Sequence, residues 1–290
     1  MEKIRSLFRK SSSQSFQIIS DLHLEVGQQY SSFEIPPSAP YLVLAGDIGL
    51  LTNYDAYLAF LVRQTQRFKK VFLVLGNHEL YGLTFTTGLE QARKLELEPI
   101  LKGRMVLLHQ KRFDVPNSSI SILGCTLWSK IPDDAQQVVQ MKVADFWKIT
   151  DWSAASHNAA YETDLSWLKN QVAELQKASE SSPKKKSPER TTVIITHHAP
   201  STQKTADPMH NNSPLTSAFA TDLLNGEDWP NVKLWVFGHT HFTTEFKKDG
   251  IKIVSNQRGY VFPNGDSVQE KNNEKKKKKG VFDVRKVVHV

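Results

Sequence analysis

At 290 residues, 39% of them hydrophobic, the chain is long enough to bury a sizeable α/β core, and its single cysteine excludes an internal disulfide framework. No apolar run approaches the roughly 20 residues of a bilayer crossing, and the basic first ten residues lack the apolar segment of a secretory signal, so a cytoplasmic protein without a membrane span is expected. The formal charge of +7 suggests a nucleic-acid partner only until it is located: residues 183–190 carry +3 and 271–279 carry +5, leaving −1 for everything else, so a basic groove on the body is not expected.

Residues 1–15 read as a basic extension and 16–290 as one domain with flexible insertions at about 179–190 and 264–280. Phe16-Gln-Ile-Ile-Ser20 is apolar enough for a buried strand that delivers Asp21-Leu-His23 at its end, and Tyr41-Leu-Val-Leu-Ala45 does the same for Gly46-Asp47. Pro36, Pro37 and Pro40 forbid a helix between them. Asn53 caps a predicted helix over 54–68, whose apolar face carries Tyr57, Leu58, Leu61 and Val62 and which crosses over into the run Val71-Phe-Leu-Val-Leu75, followed by Gly76-Asn-His-Glu79. A second helix is predicted over 88–97, stopped by Pro99.

Beyond it, 105–108 and 119–123 read as short strands paired antiparallel around Pro116-Asn117, with Cys125 a small buried hydrophobe just past the second. Residues 128–156 are irregular, with Trp128 expected in the core and Trp128 and His157 flanking the segment. A long helix over 157–177 precedes the low-complexity stretch. Thr192-Val-Ile-Ile-Thr196 then delivers His197-His198, a helix is predicted over 214–224 behind Pro214, and Leu234-Trp-Val-Phe237 delivers Gly238-His-Thr-His241. A hairpin over 242–246 and 251–255 and a returning strand in 281–290 complete the chain, making the lysine run internal.

Five apolar strands thus end in Asp, Asn or His, and ligands of open α/β sheets gather beyond the carboxyl ends of such strands. A dinuclear hydrolytic centre needs oxygen and imidazole ligands, one carboxylate shared by both ions, and open positions for water and substrate. Asp21 and His23, two apart on a strand extension, would share a side, as would His239 and His241. Asp47 stands alone after Gly46, placed to bridge, and Asn77 offers a neutral carbonyl oxygen.

In their order, Asp21-Leu-His23, Gly46-Asp47, Gly76-Asn-His-Glu79, His197 and Gly238-His-Thr-His241, these motifs resemble the calcineurin-like metallophosphoesterases over residues 16 to about 260. The resemblance implies a four-layer α/β/β/α sandwich of two mixed sheets and a metal-dependent hydrolase acting on a small phosphoester, monoester or diester. It further implies one metal on Asp21, His23, Asp47 and His241, a second on Asp47, Asn77, His197 and His239, the ions being Mn, Fe or Zn, with His78 as the acid. His197 is taken over His198 because it comes first after the strand, with His198 placed around the site, and Glu79 is an orienter rather than a ligand. The protein Ser/Thr phosphatases of the superfamily carry arginines after Gly-Asp and before Gly-Asn-His-Glu, where this chain has Gly46-Asp-Ile-Gly-Leu-Leu51 and Leu75, which disfavours a protein phosphatase. Arg258 is a candidate phosphate grip. The rival readings are a non-catalytic scaffold, which should have lost ligands, and a nuclease, which should carry a basic groove.

Overall fold

The computed structural model describes residues 13–180, 190–210, 213–226, 228–262 and 280–290. The N-terminal extension up to residue 12 and the insertions expected at about 179–190 and 264–280, but for their edges, lie outside the described residues. Arg190 is already fastened to the body by bonds from Nε to Ser121 Oγ and from Nη2 to Ile120 O, each at 2.7 Å.

Strands β1 (Ser15–Ile19), β2 (Tyr41–Ala45), β3 (Lys70–Val74) and β4 (Met105–Leu107) run parallel, with β11 (Val287–His289) antiparallel against the free side of β1. The second sheet, in the order β5-β6-β7-β8-β10-β9, holds β6 (Ile120–Gly124), β7 (Thr191–Ile195), β8 (Val232–Phe237) and β10 (Ile251–Ser255) parallel, with β5 (Lys111–Asp114) and β9 (Thr244–Lys248) as antiparallel edges. The apolar runs are continuous because each central strand is covered on both faces. In β2, Val43 points between the sheets toward a core that also contains Phe72, Ile122, Val193 and Val236. Its neighbours Leu42 and Leu44 point outward, under α1 (Tyr54–Arg67) and α2 (Phe85–Leu97). Outside the second sheet, Tyr161, Leu165, Leu168, Val172 and Leu175 of α5 (Ala154–Glu180) cover Ile194 and Trp235. The result is the expected four layers, α/β/β/α.

Several elements differ from the sequence reading for identifiable reasons. Helix α2 begins three residues before Gly88 because Thr84 and Thr87 form a reciprocal capping box. The antiparallel partner of β6 is β5, a Lys-Arg-Phe-Asp strand too polar to stand out in the sequence, whereas β4 joins β3 in the other sheet. The irregular region holds two short helices, α3 (Gln136–Lys142) and α4 (Asp145–Lys148). The helix predicted over 214–224 shrinks to one 3₁₀ turn, Thr216–Ala218, because the chain pairs instead with the segment after β7: Ala199 N donates to Phe219 O and Thr221 N to Ala199 O, each at 3.2 Å.

Asn256, just past β10, ties the two sheets together near the strand ends. Its Nδ2 donates to Ile18 O at 2.7 Å and Asp283 O at 2.8 Å, its Oδ1 accepts from Asp283 N at 3.0 Å, and its own carbonyl accepts from Ser20 N at 3.1 Å. An apolar residue here leaves buried backbone groups unpaired. Asn256→Leu is expected to lower the unfolding free energy by about 2–3 kcal/mol in urea denaturation, and a loss under about 0.5 kcal/mol would show that this side chain does not hold the C-terminal segment to β1.

Candidate metal centre

The carboxyl ends of β1, β2, β3, β7 and β8 meet at one edge of the sandwich, but not by the strand alternation expected for Asp21 and His23 or His239 and His241. The first pair lies beyond the end of β1 with left-handed backbones, φ 52° and 47°, and the second lies beyond β8 with φ 73° and 49°; Asp47 adopts φ 54°. Left-handed backbone is unfavourable for residues carrying a Cβ by roughly 1–2 kcal/mol each, so neighbours must enforce it. Here Asp21 N donates to Gly46 O and His23 N to Asp47 O, both at 3.0 Å, so the two strand-end segments brace each other. Asp21 Oδ1 accepts from His239 N at 2.9 Å, and Asp47 Oδ1 accepts from His78 N at 2.9 Å.

Glu79 fixes the turns themselves. Fully buried, its carboxylate accepts from Gly76 N at 2.7 Å, Asp47 N at 2.9 Å, Ile48 N at 2.8 Å, Gly49 N at 3.4 Å and the Tyr57 hydroxyl at 3.0 Å. Burial, with the nearby Asp47 charge, raises its pKa to about 6 against the pull of His197 and these donors. The orienting role read from the sequence thus takes a specific form: one side chain clamps the ends of both β2 and β3. The glycines give it room. A Cβ on Gly46, at φ +86°, would lie 2.3 Å from His197 Nδ1, and one on Gly76 would lie 2.2 Å from Asp47 Oδ1.

Around this clamp the structure brings together, among the described residues, three sets of groups able to hold a metal ion: Asp21, His23, Asp47 and His241; Asp47, His197 and His239; and His23, Glu25 and His78, each set offering atoms within 4.8 Å of one another. Asn77 joins the set of Asp47, His197 and His239, its Oδ1 3.0 Å from His197 Nε2. His197 Nδ1 lies 2.9 Å from Ala45 O, which only an N–H can satisfy, and Nε2 faces Asn77 Oδ1 and, at 3.4 Å, Asp47 Oδ1; burial opposes its charge, but the Asp47 carboxylate raises its pKa to about 10, so without an ion both nitrogens carry protons and Nε2 is the one that would be given up to a metal. His23 Nε2 and His241 Nε2 stand 2.8 Å apart. The donor set fits cations: Asp21 Oδ2 and His239 Nε2 are buried with no hydrogen-bond partner among the described residues. Burial and surrounding imidazoles push His239 well below its usual pKa and His241 down to about 3, so both are neutral. Burial opposes the charge of Asp47, yet His197, His78 and His23 together hold it well below the carboxylate range. The imidazoles of His239 and His241 are thus already in the neutral form that metal binding requires, whereas His197 would release its Nε2 proton to an ion.

Four residues that sequence reasoning missed position these groups. Glu25 Oε1 lies 2.9 Å from His78 Nδ1 and 3.3 Å from His23 Nδ1; burial raises its pKa, but those two imidazoles outweigh burial and bring it to about 2. The alternation Asp21-x-His23-x-Glu25 was the available signal. Tyr260, two residues beyond Arg258, places its hydroxyl 3.0 Å from His78 Nε2. Asp145 Oδ1 accepts from Asn77 Nδ2 and from the Tyr81 hydroxyl, both at 2.7 Å, and Asn77 Nδ2 also donates to Tyr81 at 3.0 Å, so the amide is turned with its carbonyl toward His197.

Other expectations are placed differently. His198 stays outside all three of these sets, stacking on His239 at 4.2 Å and meeting Ser129 Oγ at 3.2 Å. Trp128 is a buried core residue, and His157 Nε2 lies 3.2 Å from Ser129 Oγ rather than in the cavity. Arg258 does not line the cavity: it donates to Leu22 O at 3.2 Å and Gln29 Oε1 at 2.7 Å and lies over Phe33, so its guanidinium is spent on the loop that carries Asp21 and His23. Asn77 has helical backbone (φ −74°, ψ −33°) and His78 opens a 3₁₀ turn, so their divergence does not come from an extended segment.

A cavity of about 470 Å³ opens over Asp47, Asn77, His78, His239 and His241. The profile of the calcineurin-like phosphoesterase domain matches residues 15–242. The chain belongs to the calcineurin-like phosphoesterases. It is 27% identical over 269 residues to the uncharacterized protein L509 of Acanthamoeba polyphaga mimivirus, covering 83% of this chain and 90% of that one. Among solved structures, the phosphopantetheinyl hydrolase PptH of Mycobacterium tuberculosis superposes with a TM-score of 0.59 at 18% identity, covering 87% of this chain and 91% of that one, which shows the shared fold. A dimetal phosphatase from Danio rerio matches at TM-score 0.47 and 12% identity over 83% of this chain and 86% of that one.

In this phosphoesterase the Glu79 clamp yields a direct expectation. Glu79→Gln keeps the shape but turns an amide NH₂ toward backbone donors, and should lower the unfolding free energy by about 2–3 kcal/mol. Urea denaturation checks this; a variant as stable as wild type would mean that the five bonds do not order the strand ends.

Proposed function

We propose that this phosphoesterase is a metal-dependent hydrolase in which two ions share the Asp47 carboxylate and a water attacks phosphorus in line, on a small phosphomonoester or phosphodiester. The observation that carries the reading is that Asp47 is shared by two of the three groups of potential metal-binding residues, with its two oxygens on different imidazoles: Oδ1 3.4 Å from His197 and Oδ2 3.8 Å from His23. In this reading Asp21, His23, Asp47 and His241 hold one ion, and Asp47, Asn77, His197 and His239 the other. Mn, Fe and Zn all suit that mixture of carboxylate, amide and imidazole. When bound, such ions acidify a water and neutralise the charge that develops on phosphate oxygens.

The chain's own residues supply the rest. Ala45 O holds the His197 tautomer and Asp145 holds the Asn77 amide, so both present their ligand atoms without searching. His78, nine-tenths buried, is opposed in its charge by burial but is raised by Asp47 and Glu25, which keeps a proton available. With Nδ1–H committed to Glu25, Nε2–H is the group left to meet the departing ester oxygen, beside the Tyr260 hydroxyl and at the cavity wall.

The rival readings have weaker support. A non-catalytic scaffold would be free to lose ligands, yet every ligand position and His78 is retained. A nuclease needs a basic groove, and the charge outside residues 183–190 and 271–279 sums to −1. No helix among the described residues is long and apolar enough to cross a membrane. The lone cysteine, buried, accords with a cytoplasmic location.

His78→Ala should retain its metals and lose about 10²–10⁴-fold in turnover on esters with poor leaving groups. It should lose much less on p-nitrophenyl esters, whose phenolate departs without a proton. Metal content and both turnover rates are measured on the same preparations. Equal losses on the two substrate types would remove the acid role, and loss of metal would make His78 a ligand.

A further inference from the structure

The cavity is larger than a phosphoryl group requires. Its floor is the metal-binding cluster, but one flank is a wall of different character, built from the link between α3 and α4 and from the segment around Thr216. Val143, Ala144, Leu215, Phe219 and Ala220 line this flank. The wall is preformed: Val143 packs with Ile131, Val139 and Ala218 in an apolar cluster separate from the sheet cores, with Leu215 and Phe219 packed against it, and Phe219 stacks on His239 at 4.7 Å. An apolar face held rigid beside polar chemistry is how a site accommodates the organic part of a ligand. At its outer edge stands Lys142, exposed, with no hydrogen bond or ion pair among the described residues. Asp145, three residues on, is turned inward onto Asn77 and Tyr81 and leaves that ammonium free.

Resting on the hydrolase reading, we infer that this flank is the leaving-group subsite and that the substrate class is a phosphoester of an apolar organic alcohol carrying a second negative charge at its far end. The phosphoryl group lies on the floor, the apolar body along Val143, Leu215 and Phe219, and the distal anion against Lys142. Neither inorganic phosphate derivatives nor short polar sugar phosphates would use the wall.

Binding rather than turnover tests this, so the result does not depend on catalysis. The Mn²⁺-loaded full chain is titrated calorimetrically with three non-hydrolysable probes: ethylphosphonate, hexylphosphonate, and hexylphosphonate bearing a terminal carboxylate. A buried methylene is worth about fourfold in affinity, so hexylphosphonate should bind about twentyfold or more tighter than ethylphosphonate even with partial burial. Leu215→Asn should narrow that gap. The carboxylate should add a few-fold, the scale of an exposed ion pair, and Lys142→Glu should reverse its sign. Equal binding of the ethyl and hexyl probes, or no hexylphosphonate binding, overturns the apolar subsite. An unchanged carboxylate preference in Lys142→Glu overturns the anionic end. Failure of the hydrolase reading would appear separately, as absence of turnover in metal-loaded protein that still binds these probes.

Discussion

The carboxylate of Glu79 is the fastening on which the site depends. It reaches back from the turn after β3 to collect backbone N–H groups from the turns after both β2 and β3, and it takes a hydroxyl from Tyr57 on α1, so an outer helix layer, two strands and the bridging candidate Asp47 are tied at one point. A buried carboxylate is stable only when its oxygens are satisfied. Here the satisfying donors belong to the backbone whose unusual shape the site needs. Gly46 and Gly76 then let His197, from the opposite sheet, approach Asp47 to 3.4 Å, so the two halves of the sandwich close on the site itself.

Electrostatics follow from that closure. Acids and imidazoles crowded beyond the strand ends are removed from water, which drives the imidazoles of His239 and His241 neutral, while His197, His78 and His23 keep Asp47 ionised against the same burial. A ring of surrounding acceptors then decides which way each group faces: Ala45 O for His197, Asp145 for Asn77, and Glu25 for His23 and His78. Arg258 contributes in the same indirect way, through the Leu22 carbonyl between Asp21 and His23.

The strand ends were readable because a strand covered on both faces leaves a continuous apolar run, and the glycines mark where it breaks. From these the meeting of Asp21, His23, Asp47, Asn77, His197, His239 and His241 beyond the strand ends could be anticipated, and the four layers were implied by the resemblance that their motifs carry. Their backbone could not: Asp and His tolerate the left-handed region better than most residues, but nothing local selects it at Asp21 or His23, where hydrogen bonds to Gly46 O and Asp47 O of a distant segment hold it. Asp145 was hidden for a similar reason, since it reaches Asn77 across 68 positions from an irregular segment with no period to read. The helix predicted over 214–224 failed where bonding to Ala199, 20 residues earlier than Phe219, won over local propensity.

A shared carboxylate makes the two metal positions stand or fall together. Elemental analysis of wild type and Asp47→Asn, purified and metal-loaded side by side, tests that most directly. Two ions per chain in the wild type, both lost together with activity in the variant, is the predicted result. An Asp47→Asn protein that kept two ions would contradict the bridge, and a wild type saturating at one ion would contradict the paired centre.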